Sequence, residues 1–219
     1  MVTNRNIDDV MRLVGREAKR WKDPSVTRIS KERRDPYRVL IGCLLSLRTK
    51  DDVTTKAAER LFALADTPEE MIRLPVGKIE KAIYPAGFYR KKARLVKEIS
   101  RTLLRKGGGS VPDTLEGLLE LKGVGRKTAN LVLTRGHDRP GICVDIHVHR
   151  ITNRWGYVKT ASPDATEFAL RERLPKKHWK RINDLLVAFG QNLCRPISPF
   201  CSVCPIRDHC AQSGVLRSR

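Results

Sequence analysis

At 219 residues the chain has room for one large domain or two small ones, and 44 Lys and Arg against 24 Asp and Glu give it a net charge of +20. A surface that positive selects polyanions, nucleic acid first and an anionic membrane second. Aromatic residues make up only 5% of the chain, which argues against the stacking sheets of many RNA binders, and its apolar runs fall well short of the ~20 residues a membrane span needs. Residues 1–6 carry no apolar signal core, so an intracellular protein is expected.

The apolar pattern is helical almost throughout. Ile7, Val10, Met11, Val14, Ala18 and Trp21 form one stripe at helical spacing. Asp35-Pro36 reads as a cap followed by proline at the first helical position. It opens the run 39–45, apolar all round, which predicts a buried central helix. Asp51 or Asp52 is placed to cap the next helix, which runs past Ala57 to Leu64. Thr67-Pro68-Glu69-Glu70 has the form of a capping box. A long helix is expected from Tyr89 to Lys106, stopped by Gly107-Gly108-Gly109, and a short one from Thr114 to Leu121. Helix resumes from Lys127 to Thr134, again from Asp145 to Arg154, after Ser162-Pro163, and from Trp179 to Phe189. Nothing alternates for long at the period of a strand, so the fold class is all-α.

Three segments carry chemistry. The first is Leu121-Lys122-Gly123-Val124-Gly125-Arg126-Lys127, a helix, a glycine turn and a helix start. Two glycines two apart permit a tight turn with positive φ, and the helix start offers unpaired backbone N–H groups to a phosphate oxygen. Lys122 and Arg126 add positive charge. An ordinary helix–helix turn has the same outline, but a chain of charge +20 favours DNA. The second is Val144-Asp145-Ile146-His147-Val148, which puts a carboxylate at a helix start. Capping alone accounts for an aspartate there. A fixed carboxylate also stabilises positive charge that develops on a sugar carbon. The third is Cys194-x6-Cys201-x2-Cys204-x5-Cys210, four thiols within seventeen residues. In an intracellular chain such a cluster reads as a metal site before it reads as disulfides, and four thiolates suit either zinc or iron–sulfur. Cys43 and Cys143 sit in apolar runs and read as core.

The segments LKGVGRKTANLVL and VDIHVHRITNR, followed by the four-cysteine spacing, resemble the helix-hairpin-helix DNA glycosylases, and the endonuclease III family in particular. The resemblance extends from about Asp35 to Cys210 and implies a two-lobed fold. One lobe is continuous, about 29–139; the other joins 1–28 to 140–219. Lys127 falls on the family's nucleophile and Asp145 on its catalytic carboxylate. An attacking lysine must shed its proton, and a helix start beside Arg126 disfavours the ammonium. Cys194, Cys201, Cys204 and Cys210 fall on the ligands of a [4Fe-4S] cluster. Residues 122–126 fall on the hairpin that holds DNA. Arg48 stands where the family usually has a glutamine that fills the gap left by a flipped nucleotide. Phe88 matches a bulky wedge residue, though core packing explains it equally, and Asp51 matches a pocket residue. Arg90, Lys91 and Lys92 either hold phosphates or form a solvated face. Ile146 replaces the family's threonine, and only Arg195 contributes charge between the first two cysteines.

The implied function is excision of damaged pyrimidines from double-stranded DNA by a monomeric, cytoplasmic, nucleoid-associated glycosylase that also nicks abasic sites through a lysine Schiff base. Two alternatives stand beside it. One is a mismatch uracil or thymine glycosylase of the same superfamily, a branch that often has tyrosine at the position of Lys127. The other is a non-catalytic DNA-binding module with zinc on the four cysteines. The adenine-removing branch needs a glutamate at the position of Cys43.

Overall fold

The computed structural model describes residues 1–219. It is all-α, with two compact units: Pro24–Gly141, and Met1–Asp23 together with Ile142–Arg219. No helix is long and apolar enough to cross a membrane.

The chain starts in the discontinuous unit with α1 (Ile7–Ala18), whose stripe Ile7, Val10, Met11 and Val14 is buried. Trp21 lies beyond the helix end yet packs on the same core, its ring edge-on to Phe189. The continuous unit follows, from α2 (Ser25–Glu32) and α3 (Pro36–Ser46) to α4 (Asp51–Phe62), α5 (Pro68–Arg73) and α6 (Val76–Ile83). Helix α3 is the buried centre expected from its sequence. Val39, Leu40, Ile41, Leu44 and Leu45 are wholly inaccessible, and α2, α4, α7 and α9 pack around the helix. Asp35 caps it, accepting from the amides of Tyr37 and Arg38 at 2.8 and 3.2 Å. Helix α7 (Tyr89–Gly107) ends on Gly108 in the left-handed region, followed by α8 (Leu115–Leu119) and α9 (Arg126–Leu131). The chain re-enters the discontinuous unit with α10 (Ile146–Arg154), α11 (Pro163–Arg173) and α12 (Trp179–Asn192). There α1, α10 and α12 enclose a core that includes Val148, Ile151, Trp155, Leu186 and Phe189.

The structure differs from the sequence expectations at five points. Helices α2 and α6 were not foreseen; both follow prolines, Pro24 and Pro75, that offer no side-chain cap. Neither Asp51 nor Asp52 caps α4, whose N-cap is Lys50. Asp51 lies in the first turn, and its carboxylate accepts from the amide and hydroxyl of Ser25 at 3.2 and 2.6 Å, which fixes the start of α2. The capping box of α5 is half formed: Thr67 accepts from the Glu70 amide, but the Glu70 carboxylate binds the amide of Asp66 instead of returning to Thr67. After Leu131 the expected α-helix widens into a π turn over Val132–Gly136, where the His137 amide reaches the carbonyl of Val132. Finally, of the two hairpin glycines only Gly123 has positive φ, at 77°; Gly125 is extended at φ −96° and ψ 175°.

Candidate functional site

The hairpin is held from below. Val124 is buried, and a Cβ on Gly123 would approach Leu95 Cδ2 to 2.8 Å, so glycine answers both the φ and the packing. Nothing lies within 4 Å of a Cβ built on Gly125, and Lys122, Gly123 and Gly125 are exposed. The turn therefore presents open backbone at the start of α9. Lys122 pairs with Glu98 at 2.9 Å, which orients it across to α7. Lys127 is the second residue of α9 and is exposed. Its ammonium acts on Cys43 of α3: burial pushes that thiol up to about 12, and Lys127 pulls in the opposite direction. Cys43 is 2% exposed, the core position expected of it.

Arg48 and Phe88 project from adjacent loops of the same unit. Both are exposed non-glycine residues in the left-handed region, at φ 51° and 59°. The Arg48 guanidinium stands 5.6 Å over the Phe88 ring. Phe88, at 55% exposure, is not core. Of the basic run that follows it, Arg90 and Lys91 are exposed but Lys92 is buried. Lys92 Nζ donates to the carbonyls of Leu45 and Leu47 and to Thr49 Oγ1 at 2.7, 2.6 and 2.8 Å. Burial pulls its ammonium down to about 8. It is neither a phosphate contact nor a solvated face.

In the other unit, Asp145 caps α10. Oδ1 accepts from the amides of His147 and Val148, both at 2.9 Å, and the residue is 7% exposed. The carboxylate is thus fixed by backbone, independent of the Ile146 side chain, which is 66% exposed. His149 bonds Thr166 Oγ1 at 2.7 Å, a structural role.

Two residues not singled out in the sequence tie this helix to the cysteine segment. Arg150 donates to the carbonyls of Gly190 and Cys194 at 3.3 and 2.9 Å. Arg154 reaches Cys194 Sγ at 3.4 Å and the carbonyls of Arg195 and Pro196 at 2.7 and 2.6 Å. The signal for them was their spacing: i and i+4 on a helix that begins at Asp145, hence one face of it.

Cys194, Cys201, Cys204 and Cys210 line one cavity, walled also by Trp155, Phe189, Phe200 and Ile206. No three His, Cys, Asp or Glu side chains gather tightly enough to hold a single ion, yet the four thiols surround this one space and act on one another electrostatically. Burial pushes Cys204 up to about 12 and raises Cys210. Donors nonetheless point at sulfur, from Arg154 to Cys194 and from the Gln212 amide to Cys210 at 3.4 Å. Such donors favour thiolates, and a buried thiolate needs a positive centre beside it. The donor set therefore fits a metal–sulfur group.

The family model for HhH-GPD superfamily base excision DNA repair proteins matches residues 41–176. The endonuclease III of Thermotoga maritima is 49% identical over 176 residues, 80% of this chain and 83% of that protein. The chain spans about half the length of two chloroplastic endonuclease III homologues of Arabidopsis thaliana. A solved non-covalent endonuclease III–DNA complex superposes with a TM-score of 0.84 at 31% identity, over 97% of each chain. A trapped endonuclease III–DNA covalent intermediate does so with 0.79 at 30%, again over 97% of each. The chain belongs to the HhH-GPD superfamily and, within it, to the endonuclease III family of DNA glycosylases.

Proposed function

We propose that this base-excision DNA glycosylase and AP lyase of damaged pyrimidines works through Lys127 as nucleophile and Asp145 as carboxylate partner. The observation that carries the assignment is Lys127 itself, an exposed primary amine on the second residue of α9, directly after the Gly123–Gly125 turn. The amine attacks C1′ of the damaged nucleotide. The glycosidic bond breaks, and the base leaves with its electron pair. After the sugar ring opens, Lys127 and C1′ share a Schiff base, which acidifies the C2′ proton; loss of that proton expels the 3′ phosphate and nicks the strand. Asp145, fixed as an anion acceptor by two amides, stabilises the positive charge that develops at C1′. The open backbone at Gly123 and Gly125, with Lys122 and Arg126, holds phosphate, and Arg48 and Phe88 meet the duplex where the nucleotide has left it. Asp51 acts at one remove, through α2. Borohydride present during reaction on a duplex carrying an oxidised pyrimidine should link the chain covalently to DNA. Base release with no adduct would instead favour the hydrolytic mismatch glycosylase.

The four cysteines would hold a [4Fe-4S] cluster. A zinc ion draws four thiolates to about 2.3 Å from one centre; thiols placed around a cavity suit a larger group. When bound, the cluster supplies a rigid, positively charged core to the thiolates and takes no part in acid–base chemistry. Arg150 and Arg154 tie the segment that would hold it to α10. Purified protein should be brown, with about four irons and as many sulfides per chain. One zinc per chain, with neither iron nor sulfide, would contradict this.

A further inference from the structure

We propose that Lys92 and Thr49 form an internal lock that holds Arg48 and Phe88 together in one presented shape, making Lys92 a positioning residue for opposite-strand discrimination although it is buried beneath them. Lys92 lies in the first turn of α7 and is 6% exposed. Its three donors are spent on the end of α3 and the loop that follows: Leu45 O, Leu47 O and Thr49 Oγ1. These acceptors bracket Arg48. Thr49 Oγ1 also accepts from the Gly87 amide at 3.0 Å, which joins the second loop to the first immediately before Phe88. The fit admits no side chain, because a Cβ on Gly87 would come within 2.5 Å of the Arg48 carbonyl oxygen. Two non-glycine residues in the left-handed region do not persist unless their surroundings over-determine them. Here the surroundings are one ammonium, one hydroxyl and one glycine. The outcome is a guanidinium stacked on an aromatic ring at 5.6 Å, both open to solvent. A cation–π contact of this kind favours the stacked arrangement of the two side chains.

Such a lock rests on the function proposed above, under which this face meets the duplex. Affinities are measured on duplexes with a tetrahydrofuran abasic analogue opposite each of the four bases and on undamaged duplex, and borohydride trapping is timed at saturating protein on duplex carrying a true abasic site. Lys92→Met strips a buried donor from two carbonyls and threatens the fold; Thr49→Val removes only the hydroxyl and keeps the shape. Thr49→Val should weaken binding to the analogue by about tenfold, because losing the hydroxyl that accepts from both Lys92 Nζ and the Gly87 amide leaves the presented shape populated only about a tenth of the time. It should also compress the spread among opposite bases, leaving undamaged-duplex affinity and the saturated trapping rate unchanged. In an Arg48→Ala, Phe88→Ala background the same change should do nothing further, since the groups it positions are gone. Equal losses in both backgrounds would mean a merely structural role and overturn the lock. So would a folded Thr49→Val with every opposite-base ratio intact in a chain that traps normally. A parent chain that fails to trap would instead overturn the proposed function, and the lock with it.

Discussion

Lys127→Ala should abolish borohydride trapping on duplexes bearing an oxidised pyrimidine and on duplexes with a ready-made abasic site. Only a primary amine forms the reducible Schiff base from which elimination follows, and alanine leaves nothing to replace it. The rest of the molecule should not notice. Lys127 is exposed at the start of α9, so the change should alter stability by no more than about 0.5 kcal/mol. Affinity for DNA should fall only slightly, because a chain of charge +20 binds through many cations and loses one. The combination to measure is an intact thermal transition, near-parental binding and no adduct. Trapping by Lys127→Ala at the parental rate would assign the nucleophile elsewhere.

Asp145→Asn separates the two catalytic roles. Asparagine caps a helix about as well as aspartate, so the two bonds from the His147 and Val148 amides survive and α10 stays in place. The negative charge does not survive. Base excision should drop by about 10²–10³-fold, the cost typical of removing one preorganised electrostatic partner of a transition state. On DNA whose base is already gone, the cationic transition state of base loss has been bypassed. Asp145→Asn should therefore retain more nicking there than Lys127→Ala does. Equal loss on both substrates would give Asp145 a role in elimination as well; unchanged excision would reduce it to a cap.

The features legible in the sequence were those written in local chemistry. Asp35, Thr67, Thr114, Asp145 and Ser162 each announce a helix start, and each side chain accepts an amide there. The apolar run of α3 declared itself buried because it had no polar face. Helices α2 and α6 were silent because prolines precede them and no side chain caps them. The π turn at Val132–Gly136 left no mark in the pattern, which fits an ordinary helix equally well. Among the candidate site residues, the four cysteines stood out by spacing and the hairpin by its glycines and charge, whereas Lys127 and Asp145 gained their expected roles only from the family resemblance. Lys92 did not stand out. In Arg90-Lys91-Lys92 three cations look alike, and only the packing of α7 turns the third one inward onto the carbonyls of Leu45 and Leu47. Arg150 and Arg154 were hidden for the same reason, since their partners lie some forty residues away in the chain.

The central claim is that the amine of Lys127 becomes bonded to the sugar. Reducing the reaction mixture with borohydride, digesting the adduct with nuclease and protease, and sequencing the modified peptide by mass spectrometry identifies the residue directly. The expected result is a single reduced sugar remnant on Lys127, in the peptide that follows the Gly123-Val124-Gly125 turn. A remnant on Lys122, on the terminal amine of Met1 or on any other lysine, with Lys127 unmodified, would contradict it.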